Sequence, residues 1–280
     1  EREHMGHSSE PTQFGWTFSL PSIALLGVVF VYPITLFLSK CFFDPTPTLE
    51  HLIHLFESPI FFKVLWITFK ISFIVTIISL LIGYPIAYLL SSVSESARSL
   101  LMILVLIPFW TSLLVRTYAW MVILGRKGIL NKAIMALGLS DSPIKLLHTA
   151  FAVDVGMVQM MTPFMVLAIF SVMKGIDRRL LSAAASLGAN KYQAFFRVFL
   201  PLSLPGIGAG TLLVFIYSLG FFITPALLGG RKEVMISMLI EEQVSTLLNW
   251  GFASALALML LVATLVFFFI YSKFFQIERT

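Results

Sequence analysis

Read from its N-terminus, the chain alternates long apolar runs with short polar breaks. Six runs approach or exceed 20 residues, at 18–39, 66–91, 100–123, 149–173, 202–224 and 248–272. A bilayer core about 30 Å thick is crossed by about 20 apolar residues of helix. Inside hydrocarbon every backbone amide must be satisfied within its own element, so these runs predict helices and not open strands. The expected fold is all-α: a membrane domain of six transmembrane helices over 18–273, with a polar tail at 1–17 and a short one at 274–280. The first run does not read as a cleavable leader. Glu1, Glu3 and Glu10 against Arg2 make no basic start, and no small-residue cleavage site follows at Lys40 to Asp44.

One polar connection carries its own pattern. Between the fourth and fifth runs, 174–201 holds Lys174, Arg178, Arg179, Lys191 and Arg197 against the single acid Asp177. Residues 178–187 predict an amphipathic helix with Leu180, Leu181, Ala184 and Leu187 on one face. Gly188, directly after, supplies the left-handed residue that closes a helix. Asn190 with Gln193 three positions on is a capping-box pattern that opens another. That second helix presents Tyr192, Phe195, Phe196 and Phe199 and is expected to end at Pro201. Four aromatics in eight residues need a cover. Either they fold back on the protein's own membrane helices or they lie at headgroup level.

Composition narrows the class. The chain is 58% apolar and 12% charged, against about 45–50% and about 25% in soluble domains. That excludes a soluble globular enzyme, and 27 Phe and 12 Met fit a surface facing acyl chains and neighbouring helices. The lone cysteine, Cys41, excludes an internal disulfide. A net charge of +5 with no basic patch gives no nucleic-acid surface. Counting Lys and Arg by loop leaves nine on the side of the termini and eight opposite, so the positive-inside rule does not orient the chain.

The stretch Ser182-Ala183-Ala184, three residues, Gly188, nine residues, Val198-Phe199-Leu200-Pro201 resembles the signature loop of ABC importer permeases, usually Glu-Ala-Ala, three residues, Gly, nine residues, Ile, any residue, Leu-Pro. Ser182 stands where the family commonly has glutamate. The resemblance covers about 65–272 and implies that 174–201 is a cytoplasmic coupling loop docking on an ATPase. Ser182, Ala183, Ala184, Gly188, Tyr192, Phe195, Leu200 and Pro201 would then be its contact and framework residues. It further implies both termini in the cytoplasm of a bacterial inner membrane, a second permease subunit, two ATPase subunits holding ATP and Mg, and a periplasmic binding protein. No Gly-x-x-x-x-Gly-Lys-Ser/Thr occurs, so this chain has no phosphate loop of its own. The block Phe221-Phe222-Ile223-Thr224-Pro225, then Leu227-Leu228-Gly229-Gly230, resembles the spermidine/putrescine branch of these permeases, some of which carry an acid at the place of Phe221. Its plain structural alternative is a helix end and a tight turn.

Ionisable groups within a span are costly and therefore candidates for function. Lys70 sits near the end of its run and is expected to snorkel. Arg116 lies about eight residues, or roughly 12 Å, inside its run, and Asp154 about five residues inside the next. They predict either a structural ion pair or charges along a translocation pathway. Trp110, Tyr118, Trp120, Phe221 and Phe222, with Thr224, complete the candidate pathway, since aromatic faces hold amines but more often serve as belt or packing residues. Pro33, Pro85, Pro108 and Pro163 remove helix hydrogen bonds and permit kinks, and Gly206, Gly208 and Gly210 predict a close helix contact. His51 and His54 lack a completing acid for a metal set, and no nucleophile motif occurs. An intramembrane enzyme would need an acid–base pair that is not visible, and a secondary transporter would need inverted repeats that are not visible either.

Overall fold

The computed structural model describes residues 21–43 and 47–277. The tail at 1–17, the first residues of the first predicted span, Asp44 and Arg279 lie outside them. Among the described residues all regular structure is helical. In chain order the helices are α1 (Pro21–Phe43), α2 (Glu50–Glu57), α3 (Pro59–Ser92), α4 (Glu95–Leu106), α5 (Leu113–Leu124) and α6 (Ile129–Ala136). They continue with α7 (Ala150–Met173), α8 (Arg179–Ser186), α9 (Lys191–Leu219), α10 (Ile223–Leu228), α11 (Ile236–Ser245) and α12 (Trp250–Ile277).

The core is a three-helix contact. α7 is sandwiched between α3 and α9, and α3 also meets α9. Its inward faces carry Met157, Met160, Met161, Met165 and Met173, all buried, and flexible thioethers fill the irregular gaps between crossing helices. Gly206 and Gly210 let α9 approach closely: a Cβ on Gly210 would stand 2.8 Å from the Met165 sulfur, and one on Gly206 3.2 Å from the Ile169 Cα. Two of the three glycines expected to form a small-residue face are thus spent inside the bundle against α7, while the Gly208 carbonyl accepts the Tyr271 hydroxyl of α12 at 2.9 Å. A second cluster, with Cys41, Leu55, Phe61, Val64, Ile236, Ala255 and Leu256, joins α1, α2, α3, α11 and α12. α1 leans on α12 and otherwise shows its apolar side chains to the outside, as a helix bathed in lipid does.

Among the described residues five helices are long and apolar enough to span a bilayer, and the sixth candidate is a bent pair. The single helix expected at 100–123 is therefore corrected. α4 tightens into a 3-10 turn over Ile107–Trp110, and α5 starts again at Leu113, so that the two arms meet at 94°. Pro108 removes one ladder donor, Thr111 is extended, and Ser112 has also left the helical region, with ψ 136°. The Thr111 amide and hydroxyl both donate to the Pro108 carbonyl, at 3.3 and 2.9 Å, so the break leaves that carbonyl satisfied.

The end expected at Pro201 is corrected as well. The helix that starts at Lys191 runs on to Leu219. It passes through a wide π turn over Phe195–Phe199, in which the Leu200 amide reaches back to the Phe195 carbonyl. The extra residue displaces the carbonyls that the proline ring would otherwise meet. A second π turn, Gly27–Val31 with the Tyr32 amide on Gly27, precedes Pro33 in the same way. The fifth span stops at Leu219, five residues early, because Gly220 ends it. Pro225 then falls in the first turn of α10, where amides have no helical partner to lose.

Candidate functional site

Two regions hold the candidate residues. The first is the helix-turn-helix from Arg178 to Phe199. α8 is opened by Asp177, whose carboxylate accepts the Arg179 amide at 2.9 Å. Its end is a Schellman closure: the Gly188 amide bonds the Ala185 carbonyl at 2.9 Å and the Ala189 amide the Ala184 carbonyl at 3.0 Å. Gly188 has φ +87°, in the region that side chains with a Cβ avoid. The next helix opens with the full capping box, Asn190 Oδ1 accepting from the Gln193 amide at 2.8 Å and Gln193 Oε1 from the Asn190 amide at 2.9 Å.

The aromatics of this loop divide. Phe195 meets Tyr84 and Tyr88 edge-on at 6.2 and 5.5 Å and stacks on Phe199 at 6.0 Å. Tyr88 also meets Phe199, at 5.1 Å. The Arg178 guanidinium donates to the Ser91 carbonyl, and Arg98 donates to the carbonyls of Leu90 and Val93 at 3.0 and 3.3 Å. The Arg178 bond and the Phe195 and Phe199 ring contacts pin the loop to the end of α3, while Arg98, on α4, caps that same end. Tyr192 and Phe196 instead point outward, 78% and 60% exposed, beside Leu187 at 90%. Ser182, Ala183 and Gly188 are exposed on the same unit, Ala184 is half-buried, and Leu200 and Pro201 lie within the continuous α9.

The second region surrounds α7. Asp154 lies on the wall of a cavity of about 700 Å³ framed by α3, α4, α5 and α7. Apart from Asp154, Gln159 and Thr162, that wall is aliphatic or aromatic, with Ile78, Leu101, Val158 and Trp120 among its side chains. The Trp120 indole donates to Gln159 Oε1 at 3.0 Å. Arg116 lines a different, smaller cavity of about 150 Å³ with Phe109, Phe164, Tyr217 and Phe221. Arg116 and Asp154 form no ion pair. Arg116 Nε and Asp154 Oδ1 are each buried without a hydrogen-bond partner.

The other pathway candidates scatter. Trp110, at the bend, is 89% exposed, and Tyr118 is exposed on α5. Thr224 is buried at the contact of α10 with α5, its hydroxyl 3.5 Å from that of Thr117. Phe222 is half-buried at the start of α10. Sequence reasoning missed Gln159, although a lone amide within an apolar run was a usable signal. It also missed the Tyr84 to Ser203 hydroxyl contact at 3.0 Å that ties α3 to α9.

Residues 79–276 match the family described as the binding-protein-dependent transport system inner membrane component. The chain belongs to this family. The permease is 43% identical to the spermidine/putrescine transport system permease protein PotB of Haemophilus influenzae, over 81% of its own length and 79% of that protein's. It is 36% identical to the protein of the same name in Escherichia coli (strain K12), over 87% and 86%. Among solved structures, a chain of the bacterial alginate ABC transporter bound to its periplasmic protein superposes with a TM-score of 0.72 at 20% identity, covering 92% of each chain. That likeness carries the fold. The permease is a multi-pass inner-membrane subunit without catalytic chemistry of its own, and it works with the other subunits of an ABC importer.

Proposed function

We propose that the permease forms half of the membrane pore of a polyamine importer, passing spermidine- or putrescine-like cations handed over by a periplasmic binding protein. The observation that carries this is the 43% identity to a spermidine/putrescine permease across four-fifths of the chain. In this reading the second half of the pore is a different permease subunit, and two ATPase subunits sit beneath. Both termini and the helix-turn-helix face the cytoplasm. Leu187, Tyr192 and Phe196, exposed on a loop that Tyr84, Tyr88 and Ser91 hold rigidly, form the surface that meets the ATPase. Large apolar side chains held outward on a fixed frame suit a partner better than water. ATP-driven closure of the ATPase pair draws the two such loops together and swings the α3–α7–α9 core toward its outward-open arrangement. The ligand-loaded and empty states differ in contact free energy at that loop, as alternating access requires.

The test is ATP hydrolysis by the four-component complex in lipid nanodiscs. Binding protein loaded with spermidine or putrescine is expected to stimulate turnover, and loaded binding protein without effect sinks the substrate assignment. Gly188→Pro sharpens the loop assignment, because proline cannot take φ +87°. We expect that variant to insert and lose stimulation; normal stimulation would refute the docking role.

A further inference from the structure

The cavity beside α7 holds a carboxylate, Asp154, with no hydrogen-bond or ion-pair partner among the described residues. Of its three polar side chains, Thr162 donates its hydroxyl to the Val158 carbonyl at 2.7 Å, and Gln159 accepts the Trp120 indole. Asp154 Oδ1 is buried and has no hydrogen-bond partner. The charges that act on Asp154 are Lys70 and Glu233, of opposite sign, and neither makes an ion pair with it. Lys70 is itself exposed. A carboxylate facing aliphatic walls is unfavourable to fold around unless a ligand completes it.

The walls say which ligand. A divalent metal asks for several oxygen ligands and meets only one carboxylate here, among Ile78, Leu101, Val158 and their neighbours. An amino acid or another zwitterion needs a cation for its own carboxylate, and Arg116 lines the other cavity. An alkylammonium fits both demands. Its charged end meets Asp154 and its methylenes meet the aliphatic wall, while Trp120, held by Gln159, adds to that wall an aromatic ring of the kind that attracts cations. Resting on the polyamine reading above, we infer that Asp154 is the ammonium-holding residue of the translocation pathway in this subunit and that Trp120 is its aromatic wall.

The experiment is uptake of radiolabelled spermidine into proteoliposomes carrying the assembled transporter, with ATP hydrolysis measured in the same vesicles. The readout is amine delivered per ATP hydrolysed, which a general structural defect leaves alone because it lowers both terms. Asp154→Asn is expected to lower this ratio about tenfold, the scale of one lost charge-assisted contact, and Asp154→Glu to hold it near wild type. The melting temperature of the Asp154→Asn complex should stay level or rise, since an unpartnered charge is removed. An unchanged ratio in Asp154→Asn overturns the assignment. If Asp154→Asn fails to assemble, Trp120→Leu, which removes no charge, must lower the same ratio, and an unchanged ratio there overturns it equally. Wild-type vesicles that take up no amine refute the polyamine reading itself; uptake by wild type with an intact ratio in the variants refutes only the role of Asp154.

Discussion

Two prolines in apolar surroundings have opposite outcomes. At Pro108 the chain bends by 94° and starts a new helix three residues beyond Trp110. At Pro201 it continues unbroken as part of a helix from Lys191 to Leu219. Pro85, Pro163 and Pro205 also lie inside helices, so a proline by itself does not break a span. The difference is in the neighbours. Before Pro201 a π turn carries one extra residue, and Phe195 and Phe199 fix that turn against Tyr84 and Tyr88. After Pro108 the hydroxyl of Thr111 satisfies the freed carbonyl, and Phe109 anchors the bend on Phe164, edge-on at 4.9 Å. Helix continuity in this bundle is decided by side-chain packing on either side of the proline.

Deleting Arg197 should give the largest effect. A single-residue deletion closes the π turn into ordinary α-helix and keeps the flanking segments roughly in register, but it brings the ring of Pro201 against the carbonyl four residues back. The expected cost is about 3 kcal/mol, read as a fall in melting temperature of the purified complex. Adding Pro201→Ala to the deletion should recover most of it. A deletion that melts with the wild type would show that the π turn has nothing to do with the proline.

Phe109→Ala addresses the other bend. Loss of a half-exposed ring and its edge-on contact should cost about 2 kcal/mol. The more telling readout is geometry. Spin labels at Leu100 and Val122, both exposed and on opposite arms of the bend, should give a longer and broader distance distribution once the anchor is gone. An unchanged distribution would move the cause of the bend back to the Thr111 and Ser112 backbone.

How much of this could be seen beforehand depended on whether the cause was local. The Gly188 closure and the Asn190–Gln193 box involve side chains within five residues of one another, and both stand as the sequence suggested. The five unbroken spans were visible as apolar length, because the bilayer demands it. The π turn was not visible, since hydropathy is the same in α and π geometry and only the contacts of Phe195 and Phe199 with α3 distinguish them. At Pro108 a kink could be foreseen but not a full break, because the residues from Leu100 to Trp110 are as apolar as a continuous span. Arg116 and Asp154 sat at similar depth on adjacent runs and so looked like a pair. The rotation of each helix about its own axis, which turns one toward Tyr217 and the other toward Trp120, is set by packing between helices distant in sequence.

The smallest predicted effect is the one that tests the comparison most directly. If the π turn already relieves Pro201, then Pro201→Ala in the otherwise unchanged chain restores an amide whose ring was causing little strain. Stability should shift by less than about 1 kcal/mol, well short of the interior-proline penalty, and the Phe195 contacts with Tyr84 and Tyr88 should persist. A large gain on Pro201→Ala would mean that the helix carries unrelieved strain at this point, and that the π turn is shaped by the aromatic anchors alone. A loss would mean that the proline helps to hold the π turn open, so that the Leu200 and Pro201 end of the signature loop sets the angle at which Tyr192 and Phe196 are presented.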